Sequence, residues 1–281
     1  MRYFIHSAIG GVKTTEADVA KKPEPASNMQ VTIKPFTQRT LVVPILGTTP
    51  LVYNRMSEKA KQTLLMPSRL NRKDKSEEGV KHDPYREFCD SFYVASDGPT
   101  LFKIPASAFK NALETAALDT EGVAKSEVWR CISVGWEDLP VWGETKLFMT
   151  GVRQAGMNRT PDIRTRGILT RWVTCVTLKY IEEKFTAATI FALIARAGMM
   201  SGVGDFRQEK GAGSFGTFEI CDEKDPRYLE IIEKFGRQHQ TERLAEPAFF
   251  DDESASLYNW WVETYTTHFG AAPKHLREAA A

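Results

Sequence analysis

Much that would announce a function is scarce or missing in this 281-residue chain. Its four cysteines, Cys89, Cys131, Cys175 and Cys221, form no C-x-x-C pair, and its five histidines do not gather near them. That spacing speaks against a zinc site and for reduced thiols in a cytoplasmic protein, with no metal or other cofactor expected. No apolar run approaches the roughly 18 residues that a membrane span needs, and Met1 to Val12 is too short for a signal sequence. A soluble, non-membrane protein is expected. Surplus charge is missing too: 37 Lys and Arg face 36 Asp and Glu, for a net +1. Nucleic-acid binders usually carry more positive charge than that.

Catalytic signatures are equally sparse. No G-x-S-x-G occurs, and no D-x-D stands at a strand end. His6 and the His82-Asp83 pair could supply a general base, but the sequence sets no partner beside either. His239, His268 and His275 fall in an acidic C-terminal stretch and read as surface groups.

What is present is an ordinary globular composition, 42% hydrophobic and 26% charged, which excludes a disordered or fibrous chain. Residues 1–28 read as a flexible arm, with ordered structure expected from Met29 and first strands at Val31–Ile33 and Thr40–Leu46. Ser57 offers an N-cap for a helix to Met66, and a mobile basic loop follows from Arg69 to His82. Asp97-Gly98 marks a hairpin between Phe92–Val94 and Leu101–Ile104. A helix with Ser107 as its cap carries Phe109, Ala112, Leu113, Ala116 and Ala117 at helical spacing. Strands are expected at Val128–Val134, Lys146–Val152 and Ile168–Tyr180, a helix at Thr186–Ala197, and a strand at Ser214–Cys221. Beyond Cys221 helices are expected at Asp225–Phe235 and Glu253–Phe269, the second with Leu257, Trp260, Trp261 and Tyr265 as its apolar stripe. The order of elements predicts an α+β, ferredoxin-like (RRM-like) antiparallel sheet core over residues 29–221, with inserted basic loops and an acidic helical appendage at 222–281.

Dividing the chain at Cys221 dissolves its apparent neutrality. Residues 221–281 hold 7 basic and 12 acidic side chains, a balance of −5, and residues 1–220 hold 30 and 24, a balance of +6. The cations gather further. Arg55, Lys59, Lys61, Arg69, Arg72, Lys73 and Lys75 lie in one stretch, and Arg153, Arg159, Arg164, Arg166 and Arg171 face the single acid Asp162. The second group reads as a phosphate-contacting loop, because the guanidinium fork bonds two phosphate oxygens at once. A solvated surface loop is the plainer alternative.

The densest glycine run is Gly198 to Gly216, six glycines in nineteen residues. Gly202, Gly204, Gly211 and Gly213 bracket Phe206, Arg207 and Lys210, which joins close backbone approach to cation and a stacking face. The order helix–loop–strand and the absence of G-x-x-x-x-G-K-[ST] exclude a phosphate loop. Arg207, three residues after Gly204, excludes the dinucleotide fingerprint. A tight helix-to-strand return would also need glycines.

A helix followed by G-x-G, a short basic insert, G-x-G and a closing strand resembles the glycine-rich signature of the RAMP superfamily, the ferredoxin-fold RNA-binding subunits of CRISPR effector complexes. Gly202, Gly204, Gly211 and Gly213, with Arg207 and Lys210, carry that resemblance. Val42 to Cys221 also resembles a group of bacteriophage proteins through Thr49–Val52, Ser57–Ala60, Ile104–Lys110 and Gly202–Phe218. The resemblance implies a non-enzymatic protein that binds single-stranded RNA or DNA in multiple self-associating copies. Arg207, Lys210 and the Arg153–Arg171 segment would hold the sugar-phosphate backbone, and Phe206, Tyr53 or Trp172 would stack on bases. Its alternatives are a metal-independent RNA-processing endonuclease using His82 or His6, and a virion or scaffold protein without a nucleic-acid ligand. The acidic appendage could cover the chain's own basic loops or a neighbour's, or serve only as a solubilising helical pair.

Overall fold

The computed structural model describes residues 34–65, 81–135, 137–153, 159–210 and 213–279. The expected arm, the strand at Val31–Ile33, His6, the basic run Arg69–Lys75 and Gly211 lie outside the described residues, as do the side chains of Lys59 and Lys210. Residues Phe36–Ala281 form one compact unit, to which the helices of 222–281 belong.

The fold is α+β. Its sheet is built from β1 (Gln38–Gly47), β2 (Leu51–Val52), β3 (Tyr93–Val94), β4 (Phe102–Ile104), β5 (Ile132–Val134), β6 (Leu139–Arg153), β7 (Pro161–Ile181) and β8 (Phe218–Ile220). The spine runs β6-β7-β1-β8, every neighbouring pair antiparallel. Two long connections carry α3 (Ala106–Ala116) between β1 and β6 and α5 (Ala187–Arg196) between β7 and β8. That is the strand order and crossover pattern of a ferredoxin-like sheet.

Alternation along the central strands supplies two cores. Val43 and Ile45 of β1 and Trp172, Val176 and Leu178 of β7 pack with Phe109, Leu113, Ile190 and Leu193 of α3 and α5. On the other face Leu46 and Val173 meet Tyr228, Ile231 and Phe235 from the region of α6 (Pro226–Lys234). Thr186 caps α5 by accepting from Thr189 N, and Asp225 caps α6 by accepting from Arg227 N. Both starts match their sequence signals.

Several expectations are corrected. The helix beginning at Ala106 has Pro105, not Ser107, at its N-cap. Lys125–Cys131 is the helix α4, leaving only Ile132–Val134 as strand. Pro84–Asp90 (α2), capped by Asp83, and Arg237–Ala245 (α7) are further helices, as is Lys274–Ala279 (α9). Most described residues of the basic segment Arg153–Arg171 are strand rather than loop. β6 and β7 pair from Val141↔Thr174 to Arg153↔Pro161, so four of its arginines stand on a long antiparallel hairpin.

Backbone edges need partners, and the C-terminal region supplies those of β6. Gln240 donates to Val141 O (2.8 Å), Gly143 N donates to Phe235 O (3.1 Å), and Leu147 N donates to Ala248 O (2.7 Å). Phe250 N donates to Leu147 O (2.9 Å), and Met149 N donates to Ser254 Oγ (3.0 Å). Gln240 is fully buried and also accepts from Leu101 N and Phe102 N. Helix α8 (Asp252–Phe269) buries Ser254, Tyr258 and Tyr265, whereas Trp260, expected on its apolar stripe, is exposed. Among the described residues no helix is long and apolar enough to cross a membrane.

Candidate nucleic-acid interface

The free end of the β6–β7 hairpin extends past the covered edge. Arg153, Arg159 and Arg164 are exposed there. The acid among them, Asp162, is buried and held by Lys81 Nζ (2.8 Å), His82 Nε2 (2.9 Å) and Arg164 Nη2 (3.4 Å). Its charge is thus spent inside the hairpin, leaving the tip arginines without an exposed opposing acid of their own segment. His82 also meets Glu87 Oε1 at 2.7 Å through Nδ1, so both ring nitrogens sit against carboxylates. With both ring nitrogens engaged, His82 would have to leave one carboxylate before acting as the general base of the endonuclease alternative. Arg55 is half-buried and paired with Glu58 at 2.7 Å.

The glycine-rich segment begins in α5. A π-helical turn, Ala197–Ser201, continues that helix and ends at Gly202, whose N–H donates to Ala197 O (2.8 Å). The chain then inserts between β2 and the approach to β8. Asp205 N donates to Val52 O (2.9 Å), Val203 N to Gly216 O (2.9 Å) and Gly216 N to Pro50 O (2.8 Å). Two glycines are indispensable to this threading. At Gly216 φ is +75° and a Cβ would lie 1.7 Å from Val203 O; at Gly204 φ is +85° and a Cβ would lie 2.6 Å from Val52 O. Gly202 and Gly213 likewise face protein backbone. The space their missing side chains leave is filled by the protein itself, so the tight-return reading describes these positions.

The charged residues of the loop are ordered by contacts. Asp205 Oδ2 accepts from Asn54 Nδ2 (2.9 Å) and lies 3.0 Å from Arg166 Nε. The guanidinium of Arg166 is 4.6 Å from the Phe206 ring centroid. Arg166 is 8% exposed, and although its Nε is close to Asp205, Nε and Nη1 lack hydrogen-bond geometry to any partner. Burial pulls its pKa below the usual arginine range, and Asp205 opposes that shift. Arg207 pairs with Glu209 at 3.1 Å, and Glu209 also accepts from Ser201 Oγ at 3.3 Å.

The structure therefore divides the sequence-predicted arginines into three environments. Arg153, Arg159 and Arg164 stand on the hairpin tip, while Arg166 and Arg207 are part of the glycine loop's mounting. Arg171 lies farther along β7, bound to Glu144 and Glu230, with Phe235 4.9 Å away as a ring partner. Phe206 is half-buried at φ +52°, edge-on to Phe148 and Phe215. Trp172 and Tyr53 cannot stack on a strand, since Trp172 is fully enclosed with Nε1 bonded to Thr49 O, and Tyr53 is 3% exposed. Among the described residues no three His, Cys, Asp or Glu side chains are grouped to hold a metal.

No protein-family model and no curated protein sequence matches the chain. Among solved structures, the chain is similar to the crystal structure of Cmr6 from Pyrococcus furiosus, with 11% identity and a TM-score of 0.37 over 66% of this chain and 99% of that one. It is also similar to the cryo-EM structure of the Type III-B Cmr-beta bound to cognate target RNA, with 13% identity and a TM-score of 0.34. That second match covers 66% of this chain but only 59% of the other. The likeness is partial and of low identity.

Proposed function

We propose that this protein binds single-stranded nucleic acid without acting on it, through the hairpin tip and the neighbouring glycine loop. The observation that carries this reading is the tip itself. Arg153 and Arg164 are exposed on the paired strand ends and Arg159 just before β7, while the one acid of their segment, Asp162, is buried and neutralised. The β6–β7 pairing brings Arg153 and Arg164 to one end of the hairpin, where guanidinium forks suit a phosphate chain. Arg55, Arg166, Arg171 and Arg207 are the paired supports of this cationic surface and Phe206 is the half-exposed ring. Gly202, Gly204 and Gly213 shape the described part of the loop.

The sequence resemblance to the RAMP superfamily at Gly202–Gly204 and Gly211–Gly213 supports the same reading and adds self-association along the strand, in a bacteriophage setting. Two carboxylates on His82 weigh against the endonuclease alternative. Counterion release makes affinity for a 20-nucleotide RNA or DNA strand fall steeply with salt, with a log–log slope of about −0.7 per neutralised phosphate. Fluorescence anisotropy across a salt series measures it. A flat salt response, or no binding to either strand, overturns the reading, and so does metal-independent RNA cleavage.

A further inference from the structure

A pocket of about 280 Å³ opens beside the glycine loop, between the end of β2 and the first turn of α3. Its volume lies just under the range of drug-sized sites, about 300–1,000 Å³, and so fits a small planar group. Two kinds of side chain line it. Ile104, Pro105 and the half-buried Tyr93 give an apolar, ring-bearing side. Asn54, Asn111, Asp205 and Arg207 give a polar side.

The polar side has a definite sense. Asp205 is fixed through one oxygen, Oδ2, which takes both Asn54 and Arg166. A carboxylate so held presents its other oxygen as an acceptor and can donate nothing. The Arg207 guanidinium and the carboxamides of Asn54 and Asn111 supply donors alongside it. Tyr53, which also borders the pocket, holds its enclosed hydroxyl without a hydrogen-bond partner.

We propose that this pocket takes one base turned out of the bound strand, and that Asp205 selects bases bearing an exocyclic amino group. Cytosine offers its N4 amino group to the carboxylate, with N3 and O2 beside it for the Asn and Arg donors. Uracil has the same size but presents a single N–H flanked by two carbonyl oxygens, which a carboxylate repels. The assignment rests on the strand-binding reading above and adds to it a point of sequence preference.

The test compares four probes on the full chain: a 12-nucleotide oligo(rC), a 12-nucleotide oligo(rU), an abasic 12-mer and free CMP. Oligo(rC) is expected to bind about tenfold more tightly than oligo(rU) or the abasic strand. Ser107→Phe, at an exposed position on the pocket rim, is expected to bring oligo(rC) down to the level of oligo(rU) with an unchanged melting curve. Asp205→Asn is expected to abolish the preference for cytosine while oligo(rU) binding persists. Equal binding of all three strands by the unmodified protein overturns the pocket and leaves the strand-binding reading standing. Failure of every strand to bind overturns both. CMP binding as tightly as oligo(rC) overturns the assignment to a strand, and an unaltered preference in Ser107→Phe overturns the location.

Discussion

One strand, β6, has two ends treated in opposite ways. From Val141 to Met149 its outer edge is closed by Gln240, Phe235, Ala248, Phe250 and Ser254. From Gly151 onward exposed residues alternate with half-buried ones, and with its partner β7 it carries bare arginines. The closed length has its polar groups satisfied by the protein, so it contributes stability and offers nothing to a ligand. The far length carries exposed arginines, one of them (Arg164) tied to the buried Asp162, and exposed cations are the property a phosphate chain requires. The difference places stability and binding on separate residues of the same hairpin, where they can be altered separately.

The largest effect is expected on the closed side. Gln240→Leu leaves Leu101 N, Phe102 N and Val141 O without the partners they have now. Buried orphans cost about 1–3 kcal/mol each, and partial relaxation brings the sum to roughly 4 kcal/mol. Urea unfolding measures this, and a loss below about 1 kcal/mol would show that the edge cover contributes little. On the bare side Arg153→Ala, Arg159→Ala and Arg164→Ala together should weaken oligonucleotide binding by roughly tenfold to a hundredfold. The same change should flatten the salt slope by about 2 units, since each arginine accounts for about one phosphate. Unfolding stability should fall by no more than about 1 kcal/mol, since of the three only Arg164 has a buried partner, Asp162, which keeps Lys81 and His82. A triple variant that binds normally breaks the comparison outright.

A smaller effect tests the cover with pH. His239 accepts from Thr145 N through Nε2 at 3.4 Å, and burial, assisted by Arg243, holds its pKa below the usual 6.5. The unfolded chain therefore takes up that proton first as pH falls. Stability assisted by neutral His239 is complete above about pH 6.5 and declines below it, toward the lower folded value. Hydrogen exchange at Thr145 and its neighbours should quicken between pH 7.5 and 5, and His239→Gln should blunt that change. The smallest effect belongs to Arg171 and Glu230, an exposed pair at 3.2 Å. A double-mutant cycle should return about 0.5 kcal/mol. A coupling several times larger would mean that this pair, rather than the backbone cover, ties the C-terminal region to β7.

Sequence reasoning reached the fold where local signals agree with the tertiary result. Asp225-Pro226 opens α6, Thr186 caps α5, and Asp97-Gly98 turns between β3 and β4 with Gly98 at φ +97°. The same Asp-Pro signal stands at Asp83-Pro84, yet a charged approach and only seven helical residues hid α2. Val128 and Ile132 looked like one β-branched strand because α4 ends and β5 begins within that run. The arginine-rich segment hides its strands for a physical reason. Charge density mimics a loop, whereas the β character of Ile163, Thr165 and Ile168 is expressed only when β6 pairs beside them. Of the candidate site, residue types and clustering were legible. The burial of Arg166, Trp172 and Tyr53 was not, because it depends on contacts between segments far apart in sequence. The edge cover was also hidden: a lone Gln240 in a polar helix carries no mark of its partners at Leu101 and Val141.

That distance has a consequence during synthesis. Met149 and the serine that closes its edge, Ser254, are 105 residues apart. At about 5–20 residues per second, β6 emerges roughly 5–20 s before its cover exists. For that interval a growing chain carries an unpaired strand edge, open to any other extended segment nearby. A ribosome paused after β7 and before Ser254 holds a finished hairpin whose outer margin still lacks its cover, an edge open to aggregation.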